Sequence, residues 1–297
     1  VQHPEDIDLL SRYCEMLFER GDKTQARTWL RRLNQVAPDS LPALKLKALD
    51  AKLQGDFALS KFEKSILNNL TEGGRRPASW ERVRIGKVFE AAELYDAAEN
   101  QYRQAVTQDN KFSLDLASFL GRQGKFQEAI ELCGEIVSKE NVRLICTILF
   151  NSMTSSPQEI RGTDTRQLHE WITMAKEEFP EDWKTRMQEA FLLDREGNTT
   201  EAIARLNEMD WEKLSEYEQG MVANNRAYLN LKLGQNGDAV SKDLAIAFES
   251  LGPKIELLDT RAMASIEKKQ FEQAIRDLNL ATQFEPSSGR YHFHLAL

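Results

Sequence analysis

A recurring interval of about 34 residues constrains this chain more than any other feature. Gly21-Asp22 and Gly55-Asp56 lie 34 residues apart, each between two amphipathic segments, and Ala239 and Ala274 lie 35 apart. Between these marks a short theme returns: a turn, an aromatic or polar residue, then Glu-Ala-Ile or its like. The clearest copies are GKFQEAIELC at 124–133, GNTTEAIARL at 197–206, GQNGDAVSKDL at 234–244 and KQFEQAIRDL at 269–278, with LYDAAENQYRQA at 94–105 a looser one. A unit of this length is one pair of helices, too small to bury its own apolar faces. Copies must therefore stack on one another.

Within each copy, small and large residues alternate in a fixed order. Ile85, Gly86 and Phe89 precede Tyr95, Ala98, Tyr102 and Ala105 in one; Leu258, Arg261-Ala262, Phe271, Ala274, Leu278, Ala281 and a closing Pro286 make another. Leu17, Gly21, Ala26, Leu30 and Pro38 repeat the order near the start. Three further copies are carried by Ala117, Gly124, Ala129 and Cys133, by Ala190, Gly197, Ala202 and Leu206, and by Ala227, Gly234 and Ala239. Small residues let two helices approach closely while large ones fill the gaps between them. This pattern resembles the tetratricopeptide repeat family, with six copies in phase over most of the chain.

The resemblance implies an all-α fold, a right-handed α-solenoid of stacked antiparallel helical hairpins forming one domain. The expected hairpins cover roughly 7–40, 41–70, 79–109, 110–139, 141–180, 183–213, 220–252 and 255–288, with 289–297 as the first helix of a further repeat. Two regions depart from the pattern. In the second hairpin Ser60 and Lys64 replace the expected small and large residues. From Glu140 to Trp183 the phase slips; only Leu168, Ile172, Ala175 and Pro180 read as a second helix, with a loop near 154–164. Asn69 to Pro77 reads as another inserted loop. The segment SSGRYHFHLAL predicts a helix without its partner, so the chain is expected to be part of a longer protein.

Composition narrows the function. Hydrophobic residues make up 41% and charged residues 29%, the profile of a well-folded rather than a disordered chain. A net charge of −8 argues against nucleic acid as a partner, because phosphate binding needs a surplus of Lys and Arg. No stretch approaches about 20 apolar residues, so no membrane insertion is expected. Cys14, Cys133 and Cys146 are too few and too scattered for a disulfide framework or a zinc site. They read as buried thiols of a cytoplasmic or other reducing compartment.

No catalytic set is visible, and no metal or cofactor is expected. The chain has no glycine-rich phosphate loop, no His-Glu-x-x-His and no Cys-x-x-Cys. His292 and His294 point in different directions on a helix, and His169 stands alone in the sequence. Acidic pairs such as Glu177-Glu178 and Glu181-Asp182 read as solvated helix ends.

The family resemblance implies that the first helix of each hairpin lines a concave groove. On that alignment Phe191, Tyr228 and Met263 take one position in three consecutive repeats and form an apolar stripe, flanked by Met187, Met221 and Leu231. Gln188, Asn224, Asn225 and Arg195 would supply polar contacts to an extended or helical peptide. Phe191 and Tyr228 could equally complete packing between adjacent first helices, and both readings stay open. Asn225 falls on the asparagine of the carboxylate clamp that some members use for acidic tails. The next repeat, however, offers Glu256 and Thr260 where Lys and Arg are required, so that ligand is rejected. A second groove patch, Trp80, Lys87, Lys111 and Arg122, would suit an acidic segment, although a solvated mixed-charge face is the simpler reading.

The expected function is a non-catalytic interaction scaffold or adaptor for protein or peptide partners. The alternative is a substrate-targeting segment of a larger enzyme whose catalytic domain lies outside this chain. Self-association through an uncapped end is a third expectation. The fold does not choose among these.

Overall fold

A computed structural model of the chain describes residues 6–155, 164–285 and 288–296. Pro286 and most of the loop expected near 154–164 lie outside the described residues. Every regular element among those described is helical, and the helices fall into two compact units, Val1–Ile136 and Val137–Leu297.

The first unit holds α1 (Ile7–Glu19), α2 (Lys23–Val36), α3 (Leu41–Gln54), α4 (Asp56–Leu70), α5 (Ser79–Ala91), α6 (Tyr95–Gln108), α7 (Ser113–Arg122) and α8 (Phe126–Gly134). The second holds α9 (Val142–Ser155), α10 (Arg166–Glu178), α11 (Trp183–Arg195), α12 (Thr199–Asn207), α13 (Glu216–Lys232), α14 (Asp238–Leu251), α15 (Ile255–Glu267), α16 (Phe271–Phe284) and α17 (Gly289–Ala296). Within each unit, odd and even helices pair as antiparallel hairpins, and α17 packs on α15 and α16.

Helix starts follow local chemistry. Asp6, Asp22 and Ser40 accept the exposed N–H of Leu9, Gln25 and Ala43 at 3.0, 3.1 and 3.3 Å. Ser215 and Glu218 cap α13 reciprocally.

The turns inside the hairpins repeat one device. After the first helix comes a residue in the left-handed region, and the next residue donates its N–H back to the carbonyl five positions earlier. Asp22 reaches Leu17, Lys125 reaches Leu120, Asn198 reaches Leu193 and Gln235 reaches Asn230, at 2.9, 2.9, 2.8 and 2.9 Å. The left-handed residue is Gly21, Gly124, Gly197 and Gly234 in these four, but Glu93 (φ 61°) and Lys269 (φ 59°) in two others. Five residues further on, Ala26, Ala98, Ala129, Ala202 and Ala274 are all buried at 2% exposure or less. That close approach is what the repeating alanine encodes.

Two hairpins deviate. In the seventh, α14 is capped by Gly237, two residues later after its turn glycine than in the hairpins that turn at Gly21, Gly124 and Gly197, and burial moves by one, leaving Val240 buried and Ala239 exposed. Val240, not Ala239, therefore fills the small-residue slot. In the second, α4 buries only Leu70, while Ser60, Lys61 and Lys64 are exposed and Phe57 is 86% exposed. Ser60 and Lys64 leave that face of α4 solvated, and the helix seats instead through Leu59, Phe62 and Ile66 on the core around Leu44, Ala48, Val88 and Ala92. The irregular fifth hairpin forms all the same: Val142, Ile145, Cys146, Leu149 and Met153 bury one face of α9, opposite Leu168, Ile172 and Ala175 of α10.

Candidate functional site

In the second unit, α9, α11, α13, α15 and α17 are the first helices, and side-chain contacts run from one to the next. Phe150 of α9 meets Phe191 of α11 edge-on, centroids 4.7 Å apart. Arg290 of α17 lies over the ring of Tyr228 on α13 at 5.3 Å and also pairs with Asp259 of α15. His294 holds the other oxygen of Asp259, Nδ1 to Oδ1 at 2.6 Å. Asp259 is fully buried; His294 hydrogen-bonds one of its oxygens and the Arg290 cation stands against the other.

Phe191, Tyr228 and Met263 stand six residues ahead of Gly197, Gly234 and Lys269, the turn residues of their hairpins, and each is half-buried. Part of each side chain packs inward: Tyr228 and Met187 cover the core around Leu193, Leu206 and Val222, and Met263 covers that around Leu231 and Leu244. The remainder faces outward. Arg195 lies 5.6 Å from the centroid of Phe191. Leu231 is 3% exposed and belongs to the core rather than to the stripe.

The amides behave differently from one another. Asn225 is half-buried and donates to the Met221 carbonyl of its own helix at 2.8 Å. Asn224 is buried with Oδ1 unpartnered, and Gln188 donates to Thr147 Oγ1 at 3.2 Å while its own Oε1 is unpartnered. Two acceptors thus stand unsatisfied on the same helices as the stripe. Glu256 is exposed, whereas Thr260 is buried and bonded to the Glu256 carbonyl.

In the first unit, the cations of the basic patch already face carboxylates. Lys87 pairs with Asp115 at 2.8 Å, Lys111 with Asp109 at 2.7 Å, and Arg122 grips Glu90 through Nε and Nη2 at 2.6 and 2.9 Å. Trp80 is 56% exposed. The patch is a mixed-charge surface.

Sequence spacing missed a recurrent ion pair that frames the stripe. Arg226 of α13 pairs with Asp243 of α14, and Arg261 of α15 pairs with Asp277 of α16. Each guanidinium also covers an aromatic ring that precedes its hairpin, Trp211 at 5.3 Å and Phe248 at 4.0 Å. The Asp243 hydrogen bond raises the Arg226 pKa against the opposing effect of burial. Lys232 of α13 adds a third link, reaching both oxygens of Asp194 on α11 at 2.8 and 2.9 Å. The visible signal would have been an Arg in the first helix matched by an Asp in the second, 16 residues on in the eighth hairpin and 17 in the seventh, where the turn is longer.

The described residues contain no group of three or more His, Cys, Asp or Glu able to hold a metal. His169 sits 2.9 Å from Glu196 and is not solitary in the fold. Cys14, Cys133 and Cys146 form no disulfide among the described residues and are buried. Burial pushes the Cys14 thiol up to about 11 and the Cys146 thiol up to about 12, far from the range of a nucleophile. No described helix is long and apolar enough to cross a membrane.

No protein-family model matches the chain, and no curated protein matches it. Solved structures do. A tetratricopeptide repeat protein from Parabacteroides merdae aligns over 98% of this chain and 97% of its own, at 15% identity and a TM-score of 0.55. The APC/C hetero-tetramer Cut9-Hcn1 aligns over 99% of this chain at 13% identity and a TM-score of 0.47, and this chain spans 56% of that one. PilF of Pseudomonas aeruginosa aligns over 100% of this chain and 99% of its own, at 13% identity and a TM-score of 0.36. The Parabacteroides likeness shows the fold that the repeating residues implied, a tetratricopeptide-type array of helical hairpins.

Proposed function

We propose that this chain is a non-catalytic scaffold that captures an extended or helical peptide of a partner protein on the first helices of its sixth, seventh and eighth hairpins. One observation carries the reading: Phe191, Tyr228 and Met263 recur at the same position of α11, α13 and α15, each half-exposed. An aromatic–Met row at regular intervals suits a peptide's apolar side chains. The unpartnered acceptors of Gln188 and Asn224 lie on the same helices and suit a peptide's N–H groups. The Arg–Asp pairs clamp the seventh and eighth hairpins, the same guanidiniums cover the ring before each, and Lys232 ties α13 to Asp194 of α11; a preorganised surface loses less entropy on binding. The net charge of −8 favours protein over nucleic acid as partner, and three buried thiols outside any disulfide suit a reducing compartment.

The test is selection of binders from a displayed random-peptide library on the intact chain, followed by hydrogen-exchange mapping. Selected peptides should protect 183–195 and 216–232, and Tyr228→Ala with Met221→Ala should weaken them at least tenfold with helicity unchanged. Protection confined to other segments, with affinity unaffected by the double variant, would remove the reading.

A further inference from the structure

A cleft of about 680 Å³ opens in the first unit between α2, α3 and α4. Each helix turns one full face toward it. From α2 come Arg27, Arg31 and Asn34; from α3, Lys47, Asp50, Ala51 and Gln54; from α4, Ala58, Lys61, Phe62 and Ser65. These spacings of three, four and seven residues are those of a single helix face. Three facing helices would ordinarily close an apolar core over such faces. Here α4 rests Leu59, Phe62 and Ile66 on the core around Leu44 and Ala48 but fully buries only Leu70, and polar side chains line the space beside it.

The charge of the lining is one-sided. It holds four cations and one carboxylate, in a chain whose net charge is −8. Arg27 neutralises that carboxylate, with Nε 2.8 Å from Asp50 Oδ1, and Gln54 donates to the other oxygen. Arg31 bonds the Arg27 carbonyl and Thr28, and Lys47 bonds the Pro38 carbonyl at 2.9 Å; among the described residues neither pairs with a carboxylate. Lys61 is exposed and makes no ion pair among the described residues. Beneath the cations lie Leu30, Ala51 and Phe62, and Asn34 Oδ1 is buried there without a hydrogen-bond partner.

We infer that this cleft is a second peptide site, specific for an acidic segment of a partner protein. An acidic peptide supplies all three complements at once: carboxylates for Arg31, Lys47 and Lys61, a main-chain N–H for Asn34 Oδ1, and an aliphatic side chain for Leu30 and Phe62. Inorganic phosphate or a nucleotide would meet the cations but leave the apolar floor uncovered or the Asn34 acceptor unused. The cleft draws on α2, α3 and α4 of the first unit, shares no residue with the aromatic–Met row and does not depend on it.

The experiment measures fluorescence anisotropy of the labelled peptide Glu-Leu-Glu-Glu-Leu-Glu with the full chain, beside its Gln-for-Glu counterpart and a labelled ATP. The expected result is saturable binding of the acidic peptide, at least tenfold weaker for the Gln peptide, and weakened severalfold on raising salt from about 0.05 to about 0.3 M. Arg31→Glu with Lys61→Glu, both on exposed side chains, should abolish it with the helical signal unchanged, and Tyr228→Ala should leave it intact. Equal affinity for the two peptides, unchanged binding by the charge-reversed chain, or no saturation with the acidic peptide would each overturn the inference. Tighter binding of ATP than of the peptide, lost in the charge-reversed chain, would overturn it in favour of a phosphate site.

Discussion

Arg261 and Asp277 face each other across the eighth hairpin in a two-pronged pair, Nε to Oδ2 and Nη2 to Oδ1, each at 2.7 Å. The guanidinium simultaneously covers Phe248 of the seventh hairpin, so one side chain ties a helix both to its partner and to its neighbour. Asp277 is 3% exposed, and removing the cation strands a buried carboxylate. Arg261→Met should cost about 3 kcal/mol, and adding Asp277→Leu should restore most of it, as the charge is then no longer buried alone. Hydrogen exchange in α15 and α16 reads this locally. Unchanged protection in the single variant would contradict the tie.

Lys269 occupies a turn position that glycine fills in four other hairpins, at φ 59°. A side chain there sits in the left-handed region at a cost of about 1 kcal/mol. Lys269→Gly should therefore raise stability by about 0.5–1 kcal/mol, the gain being reduced by the greater freedom of glycine in the unfolded chain. Gly197→Ala should lower it by about 1 kcal/mol, although no atom lies within 4 Å of the new methyl group. Urea melts of the two variants should move in opposite directions, and a shared direction would count against the conformational account.

Gly220 makes the contrasting case. It lies inside α13, where alanine ordinarily improves a helix by about 1 kcal/mol. A Cβ there would come within 2.8 Å of both Ser250 Cβ and Leu251 Cγ. Gly220→Ala is expected to destabilise by about 1–3 kcal/mol through overpacking, and a stabilised variant would show that α13 and α14 are further apart than described.

Glu81 couples pH to the start of α5. Its carboxylate accepts the Ala78 N–H at 2.9 Å and pairs with Arg75 at the same distance. The backbone hydrogen bond, ahead of Arg75, holds its pKa below the ordinary 4.5. Because the folded value is the lower one, the contribution is complete above the unfolded pKa and disappears as pH falls through the folded value. In an NMR titration the Glu81 carboxyl and the Ala78 amide should share a midpoint below 4.5. A midpoint at or above the ordinary value would contradict the cap.

The hairpin array is written in local spacing, and the reading recovers it wherever a turn residue and a buried alanine keep their five-residue separation. It misplaces Ala239 because the longer turn before α14 shifts burial to Val240, a change visible only once the helix start is known. The candidate site was less legible. Lys87 and Arg122 look like free cations in sequence, yet Asp115 and Glu90 reach them from neighbouring helices. The α2–α4 cleft escaped notice for the converse reason. Arg31, Lys47 and Lys61 sit far apart in sequence and line one cleft only once α2, α3 and α4 are folded beside one another.

The burial of Cys14, Cys133 and Cys146 has a practical outcome. All three sulfurs are shielded, and two resist deprotonation well beyond neutral pH, so maleimide should find little to attack on the native chain. One cysteine introduced on a solvent-facing helix position would then be the dominant labelling site. Paired dyes placed this way would let single-molecule distances report the geometry of the array without first rebuilding its interior.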